Sequence, residues 1–158
     1  MMRVVGIDLG SRRSGYGVVE RQGQAIFCIS WGEIKLSSNK KKLSQRLCSF
    51  YDHLEAIIKQ YLPQEVVIED LYVARNVKTA FVLGHLKGVA MLLAEKMSLP
   101  VFTYSPSEIK KAVVGYGRAD KEQVRAMVQR LLQLPEMPGE HAADALAAAL
   151  CHLHTLRL

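Results

Sequence analysis

The sequence predicts an α/β fold built on a mixed sheet, and three features carry that expectation. Two short, nearly continuous apolar runs, Val4–Ile7 and Val66–Ile68, have the pattern of strands buried on both faces, and each stops at an acid, Asp8 or Glu69. A pair of strand-like segments joined by a tight turn follows the first run, and long stretches of helical periodicity follow the second. The chain has 158 residues, of which 49% are hydrophobic and 23% charged, so it is expected to form one domain over residues 1–158.

The elements follow in order. After the first strand, Tyr16–Arg21 and Ala25–Ile34 read as strands with "RQGQ" as the hairpin turn between them. "SSNKKK" is a polar, solvated loop. Leu43, Leu47, Phe50, Leu54, Ile57, Ile58 and Tyr61 then recur at helical spacing until Pro63 ends the pattern. A second helix is expected from Asn76 to Lys96. Ala80, Gly84 and Gly88 lie four apart on one of its faces, and because glycine costs about 1 kcal/mol in a helix they suggest close approach of another backbone, within the domain or across a dimer. Val101–Tyr104 reads as a strand, "SPSEIKKAVVG" as a short helix and "GYGRADK" as a basic loop. Asp120 with Gln123 resembles a capping box opening a further helix. Pro135 and Pro138 break the chain before a last helix from Glu140, with Ala142, Ala145, Leu146, Ala149 and Leu150 as its buried face. The order is βββαβαβα with an extra helical stretch before the last helix.

The net charge of +6 favours a polyanionic partner, most often nucleic acid, although ribosome-associated and membrane-surface proteins share such a balance. Cys28, Cys48 and Cys151 form no CxxC pair and are odd in number, which argues against a disulfide framework or a zinc knuckle. Cys151, His152 and His154 are too close in a helix to converge on one ion. No apolar segment with a cleavage site opens the chain, and no uninterrupted apolar run approaches a membrane span. The cytoplasm is the expected compartment.

The opening "GIDLGS" suits either a phosphate cradle or a metal centre. Each acid alone has a plain explanation: Asp8 can start a turn, Glu69 can sit at a strand end, and Asp144 can complement a helix N-terminus. Jointly they say more. A carboxylate at the end of a buried strand is costly, and if the connection through the first long helix returns beside the first strand, Asp8 and Glu69 meet at one sheet end. Their repulsion calls for a cation. His141 and Asp144, three apart, can project from the start of the last helix toward the same place. Three carboxylates and an imidazole suit Mg²⁺ or Mn²⁺, the imidazole tilting the balance slightly toward Mn²⁺. Two such ions, about 4 Å apart, can activate a water and stabilise the leaving oxygen of a phosphodiester.

These stretches resemble the RuvC family of Holliday junction resolvases over nearly the whole chain: "GIDLGSRRSGYGVVE", "VIEDLYVARNVKTAFVLGHLKGVA", "IKKAVVGYGRADKEQV" and "HAADALAAAL". The resemblance implies a ribonuclease H-like fold, a five-stranded mixed sheet flanked by helices. It implies that Asp8, Glu69 and Asp144 are the metal-binding catalytic carboxylates, with His141 as ligand or water-positioning group. The implied reaction is paired, symmetric nicking of a four-way DNA junction by a homodimer, working with the RuvA and RuvB branch-migration complex in recombination and repair. Two positions depart from the commonest pattern: Leu9 stands where many members have proline, and His141 where many have aspartate.

Tyr72 matches an aromatic position that the family uses to stack near the point of strand exchange, and Lys110 and Lys121 match basic positions of its DNA face. Arg75, Lys78 and Arg118 flank the expected site and are candidate phosphate contacts. Two cuts on opposed strands need two sites related by a twofold axis, and the helix bearing Ala80, Gly84 and Gly88 is the candidate interface. Two other functions fit parts of the pattern. An actin-like ATPase shares "GIDLG" but needs two such domains, and a junction-binding module without catalysis is the reading that His141 keeps open.

Overall fold

The computed structural model describes residues 1–36, 40–71 and 76–156. Five strands form one sheet: β1 (Met2–Asp8), β2 (Arg13–Gln22), β3 (Ala25–Lys35), β4 (Glu65–Glu69) and β5 (Val101–Tyr104). Their spatial order is β3-β2-β1-β4-β5, antiparallel between β3, β2 and β1 and parallel between β1, β4 and β5. The sheet is mixed and five-stranded, as expected. Gly23, at φ 61°, makes the tight turn between β2 and β3.

Helices α1 (Leu43–Tyr61) and α2 (Val77–Lys96) cover one face of the sheet, while α3 (Pro106–Val114), α4 (Lys121–Leu131) and α5 (Glu140–Thr155) cover the other. The helical stretch before the last helix is thus two helices, α3 and α4. Strand alternation assigns the faces: Val5, Ile7, Val66 and Ile68 meet α1 and α2, whereas Val4 and Val67 meet the α3–α5 layer. The helix starts rest on local chemistry. Asn76 accepts a hydrogen bond from the Thr79 amide, Ser105 from that of Glu108, and Asp120 and Gln123 make the reciprocal capping box.

Helix α5 is buried on more than the one face expected, with Ala142, Ala143 and every residue from Ala145 to Leu153 inaccessible. Sheet glycines make this possible. A Cβ on Gly6 would lie 2.0 Å from the Ala145 carbonyl oxygen, and one on Gly15 would lie 2.0 Å from the His141 carbonyl oxygen. The α5 backbone therefore rests directly on β1 and β2, and its first turn is carried to the sheet end where Asp8 stands. The glycines of α2 behave differently. Among the described residues nothing lies within 4 Å of a Cβ built on Gly84 or Gly88, so none of them makes the close approach expected there.

By length and composition α2 is also apolar enough to cross a bilayer, with a mean hydropathy of 1.4, a property its interrupted sequence had not suggested. Its inward stripe, Leu86, Ala90, Leu93 and Ala94, packs under the sheet, but Val77, Phe81, Met91 and Leu92 are exposed.

Gly6→Ala tests the α5 contact. Overpacking of this kind costs about 1–3 kcal/mol, so the melting temperature is expected to fall by several degrees, at about 2–4 °C per kcal/mol in a domain of this size. Gly84→Ala, which meets open space among the described residues, is expected to lower it less than Gly6→Ala in thermal denaturation.

Candidate metal centre

The parallel register of β1 and β4 runs from Val4 opposite Glu65 to Ile7 opposite Ile68, so Asp8 and Glu69 end neighbouring strands at the same level. Strand alternation points both toward the α5 side. Asp144, one turn into α5, arrives there because Gly6 and Gly15 admit the helix. One carboxylate oxygen from each of Asp8, Glu69 and Asp144 lies within 4.8 Å of the others. The three acids line a cavity of about 310 Å³ with Leu9, Asp70, Leu71, Leu83, Pro106, Lys121, Glu140 and His141.

The electrostatics of this cluster are those of a site built for a cation. Burial raises the Glu69 carboxyl to about 7, with the charges of Asp8 and Asp144 pushing the same way. Burial and then Asp8 raise Asp144 to about 6. Asp8 is also raised by burial, but its hydrogen bond with His141 and the charges of His141 and Lys121 pull it partly back. Three half-buried carboxylates that oppose one another's ionisation offer only hard oxygen donors, which fit a divalent ion such as Mg²⁺ or Mn²⁺.

His141 projects to the same place as Asp144, as their spacing suggested. Its Nδ1 lies 3.0 Å from Asp8 Oδ2, so it bonds the acid of the facing strand and stands outside the three-acid set. Lys121, at the start of α4, pairs with Glu140 at the mouth of the cavity, and this hydrogen bond raises the lysine and lowers the acid. That ion pair escaped sequence reasoning. Its one signal was an acid in the first turn of the helix that also carries His141 and Asp144. Asp70, adjacent to Glu69, bonds Lys87 at 3.0 Å.

Leu9 is buried with Val5, Ile7 and the α2 layer and also forms part of the cavity wall. Of the expected DNA contacts, Lys110 is half-buried and lowers the Glu69 carboxyl through its charge, whereas Lys78 and Arg118 are exposed. Tyr72 and Arg75 lie outside the described residues. Cys151, His152 and His154 diverge as expected: Cys151 Sγ is directed to the Glu108 carbonyl, His152 bonds Glu65 and the Tyr104 hydroxyl, and His154 faces the Ala112 carbonyl.

A mixed five-stranded sheet with three acids converging at the ends of adjacent strands is the layout of a ribonuclease H-like nuclease. The family model for the crossover junction endodeoxyribonuclease RuvC matches residues 4–152, and the chain belongs to the RuvC family. Similar chains include the crossover junction endodeoxyribonucleases RuvC of Syntrophotalea carbinolica, 46% identical over 99% of this chain and 97% of that one, and of Koribacter versatilis, 48% identical over 98% and 93%. The structure is also similar to that of Thermus thermophilus RuvC in complex with a Holliday junction substrate, at a TM-score of 0.91 and 31% identity over 98% and 94% of the two chains. Membership implies use of a divalent metal, for which the acidic triad supplies donors.

The raised carboxyls fix a sign for the pH dependence. With Glu69 moved from an ordinary 4.5 to about 7, the metal-free native state holds the extra proton, and stability is lost as pH rises across that interval. Glu69→Gln is therefore expected to raise the melting temperature of metal-free protein at pH 8 by a few degrees and to have little effect at pH 4. Mg²⁺ or Mn²⁺ should stabilise wild type at pH 8 and stabilise the variant less, as read by differential scanning calorimetry.

Proposed function

We infer that this chain is a structure-selective endonuclease that resolves four-way DNA junctions in recombination and repair, by paired, symmetric, metal-dependent hydrolysis. The observation that carries the reading is the convergence of Asp8, Glu69 and Asp144 in a RuvC-family chain that covers its relatives almost end to end. Residues 1–158 act as one nuclease domain, since a single sheet is covered on both faces.

In this reading Asp8, Glu69 and Asp144 hold Mg²⁺ or Mn²⁺, two ions per site. A metal held there would lower the pKa of a bound water and offset charge on the leaving oxygen. His141, bonded to Asp8 through Nδ1, keeps that carboxylate oriented and presents its other nitrogen as a ligand or a water-positioning group. Lys121 stands at the mouth, where an ammonium can approach a non-bridging phosphate oxygen, and Lys110 lies behind Glu69. Lys78, Arg75 and Arg118 complete the phosphate contacts, and Tyr72 stacks on a base at the opened crossover.

The active species is a homodimer. Leu47, Val77, Phe81, Gly84, Gly88 and Leu92 belong to one apolar groove on the outer side of α2, and the bare glycines leave room for a second backbone. The cytoplasm is the working compartment, and the RuvA and RuvB branch-migration complex supplies the junction.

Two experiments test these points. Asp8→Asn is expected to reduce nicking of a synthetic four-way junction in Mg²⁺ or Mn²⁺ below about one per cent of wild type, because losing a metal ligand exceeds the 10- to 100-fold typical of losing its supporting partner. Junction binding should stay near wild type. Wild-type protein that binds the junction but makes no nicks with either metal would defeat the enzyme reading. Gly84→Leu, at a position where an added Cβ meets open space among the described residues, is expected to give a folded monomer in sedimentation velocity while wild type sediments as a dimer.

A further inference from the structure

The turn joining β1 to β2 carries two arginines that the reading above does not use. Its backbone is held at several points. The Gly10 amide donates to Ser14 Oγ at 3.2 Å, the Leu36 amide donates to the Arg12 carbonyl at 3.2 Å, and Arg46 of α1 donates to the Ser11 carbonyl. The turn is so tight that a Cβ on Gly10 would lie 2.0 Å from the Arg13 carbonyl oxygen. The side chains of Arg12 and Arg13 are nonetheless exposed. Arg13 reaches Glu33 only at 3.4 Å, in a pair with arginine more than half exposed, and such surface pairs contribute little. Among the described residues the Arg12 guanidinium has no hydrogen-bond partner.

These arginines line a groove of about 490 Å³ with Gly10, Ser11 and Thr79. Its remaining walls, Leu9, Leu83 and His141, are also walls of the acidic cavity. A basic compartment and an acidic one therefore share a partition that includes a candidate active-site residue. A DNA strand carries a phosphate about every 3.4 Å of helix axis, so a strand that runs from the acids across this partition brings its next phosphates into the basic groove. Those phosphates lack the metal's charge and would otherwise face three carboxylates.

We propose that Arg12 and Arg13 form a flanking-phosphate site, which holds the backbone of the strand being cut beside the scissile bond. The inference rests on the nuclease reading. The ligand is a DNA phosphodiester, bound through the guanidinium fork without reading bases. Arg12 is the principal contact, free to engage at once, and Arg13 exchanges Glu33 for phosphate. The fixed turn backbone presents both at little ordering cost.

The test is junction affinity as a function of salt, measured by fluorescence anisotropy in the Asp8→Asn background so that no cutting occurs. Arg12→Gln and Arg13→Gln are made there and, separately, in active protein. Arg12→Gln, which removes one phosphate contact from each protomer of the dimer, is expected to weaken binding at least tenfold and to reduce the slope of log affinity against log salt by about 2, with Arg13→Gln giving a smaller change. Arg12→Lys should keep most of the slope. In active protein the nicking rate at sub-saturating junction should fall at least in step with the affinity. Unchanged slopes in both glutamine variants, or a large fall in saturated rate with affinity intact, would overturn the site. Failure of the Asp8→Asn parent and of wild type to bind the junction at all would instead bring down the nuclease reading, and this site with it.

Discussion

The seating of α5 on the bare backbone of β1 and β2 is the contact on which the rest of the site depends. Glycine in a strand forfeits about 0.5–1 kcal/mol relative to alanine, yet Gly6, Gly15 and Gly17 all face this one helix. The helix answers with small residues of its own, Ala142, Ala143, Ala145 and Ala147–Ala149, all inaccessible to solvent. Small against small shortens the distance between layers, and the first turn of α5 inherits that distance. Asp144 reaches Asp8 and Glu69 because His141 and Ala142 before it and Ala145, Leu146 and Ala149 after it rest on strand glycines.

The same closeness creates the electrostatic problem that a cation resolves. Three carboxylates are drawn together in a half-buried pocket, and burial raises all three above their ordinary range. Nearby positive charge softens the effect without cancelling it: His141 and Lys121 lower Asp8, while Lys110 and Lys121 lower Glu69. The chain as a whole carries +6, so this acidic pocket is opposite in sign to the net charge of the protein. In the proposed function that net charge would favour a polyanion, and a phosphate would approach the three acids together with a metal.

Much of the fold was legible because its signals are local. Pro63 ends α1 within two residues of Tyr61, the Asp120–Gln123 capping box opens α4, and β5 occupies Val101–Tyr104 as read. The pairing of Asp8 with Glu69 was legible too, since a right-handed crossover leaves few other places for a strand that ends in an acid. Other features needed three dimensions. The ion pair of Lys121 with Glu140 and the support of Ser11 by Arg46 join segments 19 and 35 residues apart. The strand glycines did carry a sequence signal, close backbone approach, but a glycine at Gly6 does not name its neighbour. At Gly84 and Gly88 the same signal points outward instead. His141 shows how far spacing arguments reach: the i, i+3 relation with Asp144 brings the imidazole to the acids, while its particular bond to Asp8 needed the fold.

The outer side of α2 links the two halves of the functional reading. A helix with one apolar stripe needs one neighbour, and α2 has two stripes: Leu86, Ala90, Leu93 and Ala94 inward, and Val77, Phe81, Met91 and Leu92 outward. A bilayer is a poor partner for the outer stripe, because the inner one is already packed under a sheet whose other strands and helices would have to follow it. A second copy of α2 satisfies it at no such cost. Leu83 lines the acidic cavity, while its neighbour Gly84 lines the outer groove. Site and proposed interface are thus separated by the thickness of one helix, about 10 Å. A twofold axis along that groove would fix the spacing of the two acidic centres through a single rigid element, which is the geometric condition for two cuts to fall symmetrically on one junction.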